Sequence, residues 1–192
     1  MNDTMSEKAF TLVELMIAMA AGLIVLGAII GAFLSQSKSY EREAQVVEMQ
    51  ENARAGMQMM ISELLMAGYD PTGNAGAGIV AASTDSIRFT MDLNGDEDVS
   101  DANEDITYAL DTDELQLTRN NQPLAENIPT DGLVFTYYDS NNNTTSVVGN
   151  IRRITIQLTA RTRKPDPNYP SNSGYRTRAL TSDVVPRNLG LE

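Results

Sequence analysis

The 192-residue chain contains no cysteine, no histidine and no tryptophan, and it has few basic residues. Without cysteine it can form neither disulfides nor thiolate metal sites. Without histidine it lacks the commonest general base and cannot build a Ser-His-Asp triad. Fourteen basic residues stand against 26 acidic ones, and the net charge of −12 disfavours binding to a phosphate backbone.

One long apolar run, residues 10–34, follows a short polar leader, residues 1–9 (MNDTMSEKA). As a helix, the 25 residues of this run measure about 37 Å, and the hydrocarbon core of a bilayer is about 30 Å thick. The run is too long, and the leader too poor in basic residues, for a secretory signal peptide. We therefore expect a single-pass transmembrane helix with the leader inside and the bulk of the chain outside.

A carboxylate, Glu14, lies four residues inside the start of this run. An acid within a membrane helix costs several kcal/mol unless it is paired. In one interpretation, Glu14 reaches the membrane interface or stays protonated. In the other, it meets a cation at membrane depth. Cleavage after Ala9 would create such a cation, the amino group of Phe10, one helical turn from Glu14 or on a neighbouring subunit.

The segment Ala9 to Leu15 (AFTLVEL), followed by an apolar helix, resembles the class III signal of type IV prepilins and type II secretion pseudopilins. The resemblance implies cleavage between Ala9 and Phe10 by a membrane prepilin peptidase, followed by N-methylation of Phe10. It also implies that Glu14 aligns subunits through the terminal amine of a neighbour. The family usually has glycine before the cut, where this chain has the similarly small Ala9.

A second helical pattern, residues 35–68, extends the first. Its apolar residues recur at spacings of three and four and form one stripe. They are Val46, Met49, Ala53, Met57, Met60 and Leu64. Gly68, followed by Pro71, predicts the end of the helix, and the Gly-rich segment 72–78 is read as a linker. We expect the stripe to cover a β-rich globular region, residues 69–192.

Strand signals recur along that region. They fall at residues 86–91, 106–110, 114–118, 133–138, 153–159 and 175–185. Short, closely spaced strands favour an antiparallel sheet, which needs the helix as a cover. The predicted fold is α+β, with a long N-terminal helix packed on an antiparallel sheet, and it is similar to the pilin fold.

Within that family, three features resemble the PilW-type minor pilins and the related GspJ-type pseudopilins. They are Ala67-Gly68-Tyr69 at the helix end, the Asp-rich loop after the first predicted strand, and Pro186-Arg187-Asn188-Leu189 near the C-terminus. The resemblance implies a minor pilin that helps to prime or cap a type IV pilus together with other major and minor pilins. It implies an inner-membrane protein with a periplasmic head that later joins the cell-surface pilus. The alternative is a pseudopilin of a type II secretion system.

The Asp-rich loop lies in a stretch, residues 85–114, that holds eleven acidic residues and one basic residue. Within it, residues 92–104 resemble an EF-hand-type loop, in which alternate oxygen ligands surround a calcium ion. The candidate ligands of this structural calcium are Asp92, Asn94, Asp96, Asp98, Ser100 and Glu104. Glu97 replaces the usual glycine, and Asn103 stands at the closing position, one residue before Glu104. The alternative is a solvated acidic connection.

Two other classes of function compete with the pilin interpretation. A membrane-tethered hydrolase needs paired carboxylates and a nucleophile, but the acids cluster in one loop and nothing marks a nucleophile. A DNA-binding pilin needs a basic surface, for which the chain offers only a local run: Arg152, Arg153, Arg161, Arg163 and Lys164. We therefore expect a protein that is not an enzyme and has no nucleic-acid partner.

Overall fold

The computed structural model describes residues 10–190. The chain consists of two compact units, Met1–Ala44 and Gln45–Glu192, each with contacts mainly within itself. Helix α1 spans Leu12–Leu64 and supplies the regular structure in the described part of the first unit. The last turns of α1 and the strands belong to the second unit, which is called the head unit below.

The strands described in the head unit form two antiparallel sheets. They are β1 (Ile79–Ala82), β2 (Ser86–Thr90), β3 (Asp105–Asp111), β4 (Gln116–Arg119), β5 (Gln122–Glu126), β6 (Leu133–Tyr138), β7 (Arg153–Arg161) and β8 (Thr177–Val184). The first sheet has the order β1-β2-β3-β4-β5 and the second has the order β6-β7-β8. The predicted α+β fold with antiparallel strands is confirmed, although the strands form two sheets where one was expected.

The two sheets are joined where β6 meets the turn between β1 and β2. The Phe135 amide donates a hydrogen bond to the Thr84 carbonyl oxygen at 2.7 Å. The Tyr137 hydroxyl donates to the Ser83 carbonyl oxygen, also at 2.7 Å. A second link lies at the other end, where the Arg161 amide of β7 donates to the carbonyl oxygen of Asn127, the residue after β5, at 2.9 Å. Within residues 10–190 the two sheets are therefore joined by separate hydrogen bonds and not by a continuous ladder of strand pairs.

The apolar stripe of α1 forms the helical side of the core. Met49, Ala53, Met57, Met60 and Leu64 are each at most 6% exposed, as the spacing predicts. Partly buried Val46 packs against the same cluster. Complete burial of one such large side chain stabilises the fold by about 1.5–3 kcal/mol, so this stripe accounts for much of the attachment of α1 to the sheets.

Gly56 allows the backbone of α1 to approach both sheets closely. A Cβ atom at this position would lie 3.1 Å from Leu117 Cδ2 and 3.3 Å from Ala125 Cβ, both in the first sheet. The same atom would lie 3.9 Å from Leu158 Cδ2 in the second sheet. Glycine in a helix interior costs about 1 kcal/mol relative to alanine. Here the cost is offset by close packing against side chains of both sheets.

Helix α1 ends at Leu64, four residues before the predicted stop at Gly68. After Leu64 the chain turns, and Gly68 adopts a φ of +78°, a conformation that strains residues with a Cβ atom. A Cβ atom on Gly68 would also lie 2.7 Å from Leu189 Cδ2. The C-terminal segment therefore returns to the helix end, where the Asn188 amide side chain donates to the Met66 carbonyl oxygen at 3.4 Å.

Candidate functional site

The start of α1 is built around a reciprocal pair, Thr11 and Glu14. The Thr11 backbone amide donates to Glu14 Oε2 at 2.8 Å, and the Thr11 hydroxyl donates to the same oxygen at 2.9 Å. In return, the Glu14 amide donates to Thr11 Oγ1 at 3.2 Å. This arrangement is a capping box, in which Thr11 is the N-cap and Glu14 is the third helical residue. The carboxylate also lies at the positive end of the helix dipole.

The two residues of the predicted cleavage site, Ala9 and Phe10, precede this cap in the sequence. Phe10 is 87% exposed and directly precedes Thr11, so its backbone nitrogen lies at the helix entrance. Ala9, the residue on the other side of the predicted cut, lies outside the described residues. The capping role of Glu14 was missed at the sequence level, although the spacing T-x-x-E, Thr11 to Glu14, is its signal.

The apolar run of α1 is exposed along its length in this chain. The large apolar residues between Leu12 and Leu34 are each more than half exposed. Helix α1 is long enough and apolar enough to cross a membrane. Its most apolar stretch of 18 residues has a mean hydropathy of 2.6, and none of that stretch is buried. A Cβ atom on Gly22, Gly27 or Gly31 would meet nothing within 4 Å. The surface available to lipid or to neighbouring helices is therefore continuous.

The acidic loop after β2 is organised by its own side chains. Asn94 Oδ1 accepts the Asp96 amide at 2.9 Å, and Asp96 Oδ1 accepts the Asp98 amide at 3.0 Å. Asp98 accepts the Ser100 amide and hydroxyl, each at 2.9 Å, and these bonds lower the pKa of its carboxyl. These four residues of the predicted calcium site are exposed. They follow one another along the outside of the loop.

The remaining two predicted ligands, Asp92 and Glu104, lie at the base of the loop and are buried. Asp92 is fully buried and Glu104 is 2% exposed. Asp92 Oδ1 accepts the Gly95 amide at 2.6 Å, and its Oδ2 accepts the Glu97 amide at 3.2 Å. Glu104 Oε1 accepts the Leu93 amide at 2.8 Å, whereas its Oε2 is buried without a hydrogen-bond partner. Within residues 10–190, no three acidic side chains are gathered closely enough to hold a metal ion.

A polar cluster that the sequence did not predict connects α1 to this part of the first sheet. Glu63 of α1 accepts the Tyr108 hydroxyl, and it pairs with Arg119 at 2.9 Å. Arg119 also donates to the Asn103 side chain at 3.1 Å, one residue before Glu104. The Glu63 and Arg119 side chains are 20% and 17% exposed. Glu63 is thus partly buried in a polar cluster that connects α1 to the first sheet.

The basic run identified in the sequence is distributed among separate partners. Arg153 pairs with Asp183 at 3.4 Å and lies over the ring of Tyr138, 3.7 Å from its centroid. Arg161 lies over the ring of Tyr175, 4.4 Å from the centroid. Arg153 and Arg161 therefore each contact a nearby side chain of the second sheet or its loops.

Comparisons with known proteins agree with the two parts of this description. Residues 4–30 match the family model of the prokaryotic N-terminal methylation motif. A solved type IV-like pilin from Thermus thermophilus is similar, with 13% sequence identity and a TM-score of 0.52. The alignment covers 73% of this chain and 97% of that pilin. Comparison with curated proteins finds no match.

The chain therefore combines a prepilin methylation motif with one long N-terminal helix and antiparallel sheets in a type IV pilin fold. This combination indicates a structural subunit and not an enzyme. The suspected prepilin signal and pilin fold are thus confirmed. The narrower PilW-type assignment stays a prediction.

Proposed function

We propose that this protein is a minor pilin that helps to prime or cap a type IV pilus. The observation that carries the proposal is the position of the methylation motif. It covers the junction between Ala9 and Phe10 and leads directly into the exposed apolar helix. A prepilin peptidase is proposed to cut before Phe10 and to methylate the new terminus. The apolar helix first anchors the subunit in the inner membrane, with the head unit in the periplasm, and later packs among other pilins.

Glu14 is proposed to bind the terminal amine of Phe10 on a neighbouring subunit during assembly. The geometry of the cap is compatible with this role, because both bonds from Thr11 end on Oε2. Within residues 10–190, Glu14 Oε1 accepts no hydrogen bond. A carboxylate has about four acceptor sites, so Glu14 can cap its own helix and still receive an amine. The ion pair relieves the cost of a lone acid in lipid.

Deleting the gene and counting surface pili tests the proposed function. If the protein is a minor pilin, the deletion should abolish or severely reduce pili and leave the secretion of folded exoproteins unchanged. Complementation with the intact gene is expected to restore piliation. The alternative, a type II secretion pseudopilin, predicts the reverse pattern: normal pili and accumulation of exoproteins in the periplasm.

A further inference from the structure

Two buried carboxylates, Asp92 and Glu104, lie at the base of the acidic loop. Asp92 and Glu104 are at most 2% exposed, and their segments are tied together by backbone bonds. The Met91 amide donates to the Glu104 carbonyl oxygen at 2.9 Å, and the Leu93 amide donates to Glu104 Oε1 at 2.8 Å. The two acids therefore occupy adjacent positions where β2 leaves the sheet and β3 enters it.

These buried acids lack a compensating cation in the described part of the chain. The ion pairs of this region involve Arg88 with Asp105 and Arg119 with Glu63, and neither arginine reaches Asp92 or Glu104. Three backbone amides accompany the two carboxylates, and Glu104 Oε2 receives no donor at all. Burying a charged group without a partner costs several kcal/mol, so the arrangement calls for a positive ligand at Oε2.

The outer part of the loop carries further oxygen atoms suited to such a ligand. Asn94, Asp96 and Asp98 alternate along the chain and are exposed. Their side chains accept amides of the loop itself, so a change of rotamer exchanges bonds within the loop and leaves the core unchanged. Calcium accepts six to eight oxygen ligands in a flexible geometry, whereas magnesium demands a near-ideal octahedron. A loop that mixes carboxylates with an amide oxygen matches the calcium pattern.

We propose that the loop of residues 92–104 binds one calcium ion, with Glu104 Oε2 and Asp92 as its buried ligands and Asn94 and Asp96 as its outer ligands. Because three acidic side chains are not gathered in the described structure, the outer ligands turn inward when the ion binds. The bound ion neutralises the buried acids and rigidifies the loop. Asn103 transmits this order to α1, since its side chain accepts a hydrogen bond from Arg119, the partner of Glu63.

The test uses the full-length chain in detergent, stripped of divalent ions with a chelator and then titrated calorimetrically with calcium. We expect one ion per chain, with a dissociation constant of about 10⁻⁴–10⁻³ M, which is typical of extracellular calcium modules. The melting temperature of the head unit should rise with calcium and fall when chelator is restored. Magnesium at equal concentration should not compete.

Variants assign the site. Glu104→Gln should weaken calcium binding at least tenfold, and Glu114→Gln, which changes an exposed glutamate in a turn outside the loop, should leave it unchanged. If Glu104→Gln fails to fold, Asp96→Asn decides, because Asp96 is exposed and its loss spares the core. Absence of binding heat with an unchanged melting temperature overturns the proposal. So does calcium binding that neither Glu104→Gln nor Asp96→Asn weakens, or equal competition by magnesium.

Discussion

Glu14 and Thr11 form a closed pair in which each residue satisfies the other's backbone amide. The Thr11 amide donates to Glu14 Oε2 at 2.8 Å, and the Glu14 amide donates to Thr11 Oγ1 at 3.2 Å. The glutamate therefore has a local function, capping its own helix, besides the proposed function of binding a neighbour's amine. The two functions make different demands on the side chain, because capping needs an acceptor oxygen and amine binding needs a negative charge.

Substitutions at this pair separate the two functions. Glu14→Gln keeps an acceptor for the Thr11 amide but removes the charge, whereas Thr11→Ala removes the capping hydroxyl and keeps the charge. We expect Glu14→Gln and Glu14→Ala to abolish or strongly reduce incorporation into pili. Thr11→Ala should weaken the helix start by about 1 kcal/mol and leave incorporation largely intact. Immunodetection of the subunit in sheared pili and in membranes measures both pools.

The control for these variants is their membrane content, which should equal that of the unaltered protein, since the apolar run itself is unchanged. If Glu14→Gln assembled normally while Thr11→Ala did not, the carboxylate would act as a cap alone. The proposed pairing with a neighbour's amine would then be wrong.

Gly56 provides a test of the packing between α1 and the two sheets. Gly56→Leu places a side chain where a Cβ atom alone would lie 3.1 Å from Leu117 and 3.3 Å from Ala125. Because the helix must move away from both sheets, we expect a loss of several kcal/mol in the free energy of unfolding of the head unit. The measurement is thermal or denaturant unfolding of the purified chain.

The matched control for Gly56→Leu is Ala55→Leu, which introduces the same side chain one residue earlier at an exposed position of α1. Its effect should lie within about 0.5 kcal/mol of the unaltered protein. Equal stability of the two variants would show that the close approach at Gly56 is not needed for the fold.

Two buried tyrosines predict a stability change at alkaline pH. Burial, aided by Glu63, raises the pKa of Tyr108, and burial, aided by Asp85, raises the pKa of Tyr137. Unfolded tyrosine ionises near pH 10, so the folded state binds protons that the unfolded state loses above that pH. The stabilisation from these phenols is therefore complete below about pH 10 and is lost as the pH rises further.

An absorbance titration of phenolate, followed in parallel by circular dichroism, measures this effect. Of the seven tyrosines, Tyr108 and Tyr137 should ionise only as the strands unfold. Tyr137→Phe should remove one of the two late phenols. Ionisation of all seven before any loss of strand signal would contradict the prediction.

The elements with a strong local pattern could be predicted from the sequence. The stripe from Met49 to Leu64 follows from side-chain spacing and is confirmed. The stop was placed at Gly68, which has the expected positive φ, although the helix itself ends four residues earlier at Leu64. Two edge strands were missed. β1 has four residues without clear alternation, and β5 contains Pro123, which weakens any strand signal even though proline is tolerated at a sheet edge.

Contacts between distant segments could not be predicted. The pairing of Glu63 with Arg119 is an example, because the two residues lie 56 positions apart and only the folded chain brings them together. The same holds for Glu104: its place in the loop was predicted, but its burial and its unpartnered oxygen depend on the pairing of β2 with β3. The division of the strands into two sheets also depends on contacts between distant segments, such as the hydrogen bond from the Phe135 amide to the Thr84 carbonyl oxygen.

The most direct test of the account is the mass of the N-terminal peptide of the protein extracted from membranes of cells with an active prepilin peptidase. The account predicts a chain that begins at Phe10 and carries one methyl group on its terminal nitrogen, with the leader retained in peptidase-deficient cells. A chain that keeps residues 1–9 in peptidase-active cells would contradict it.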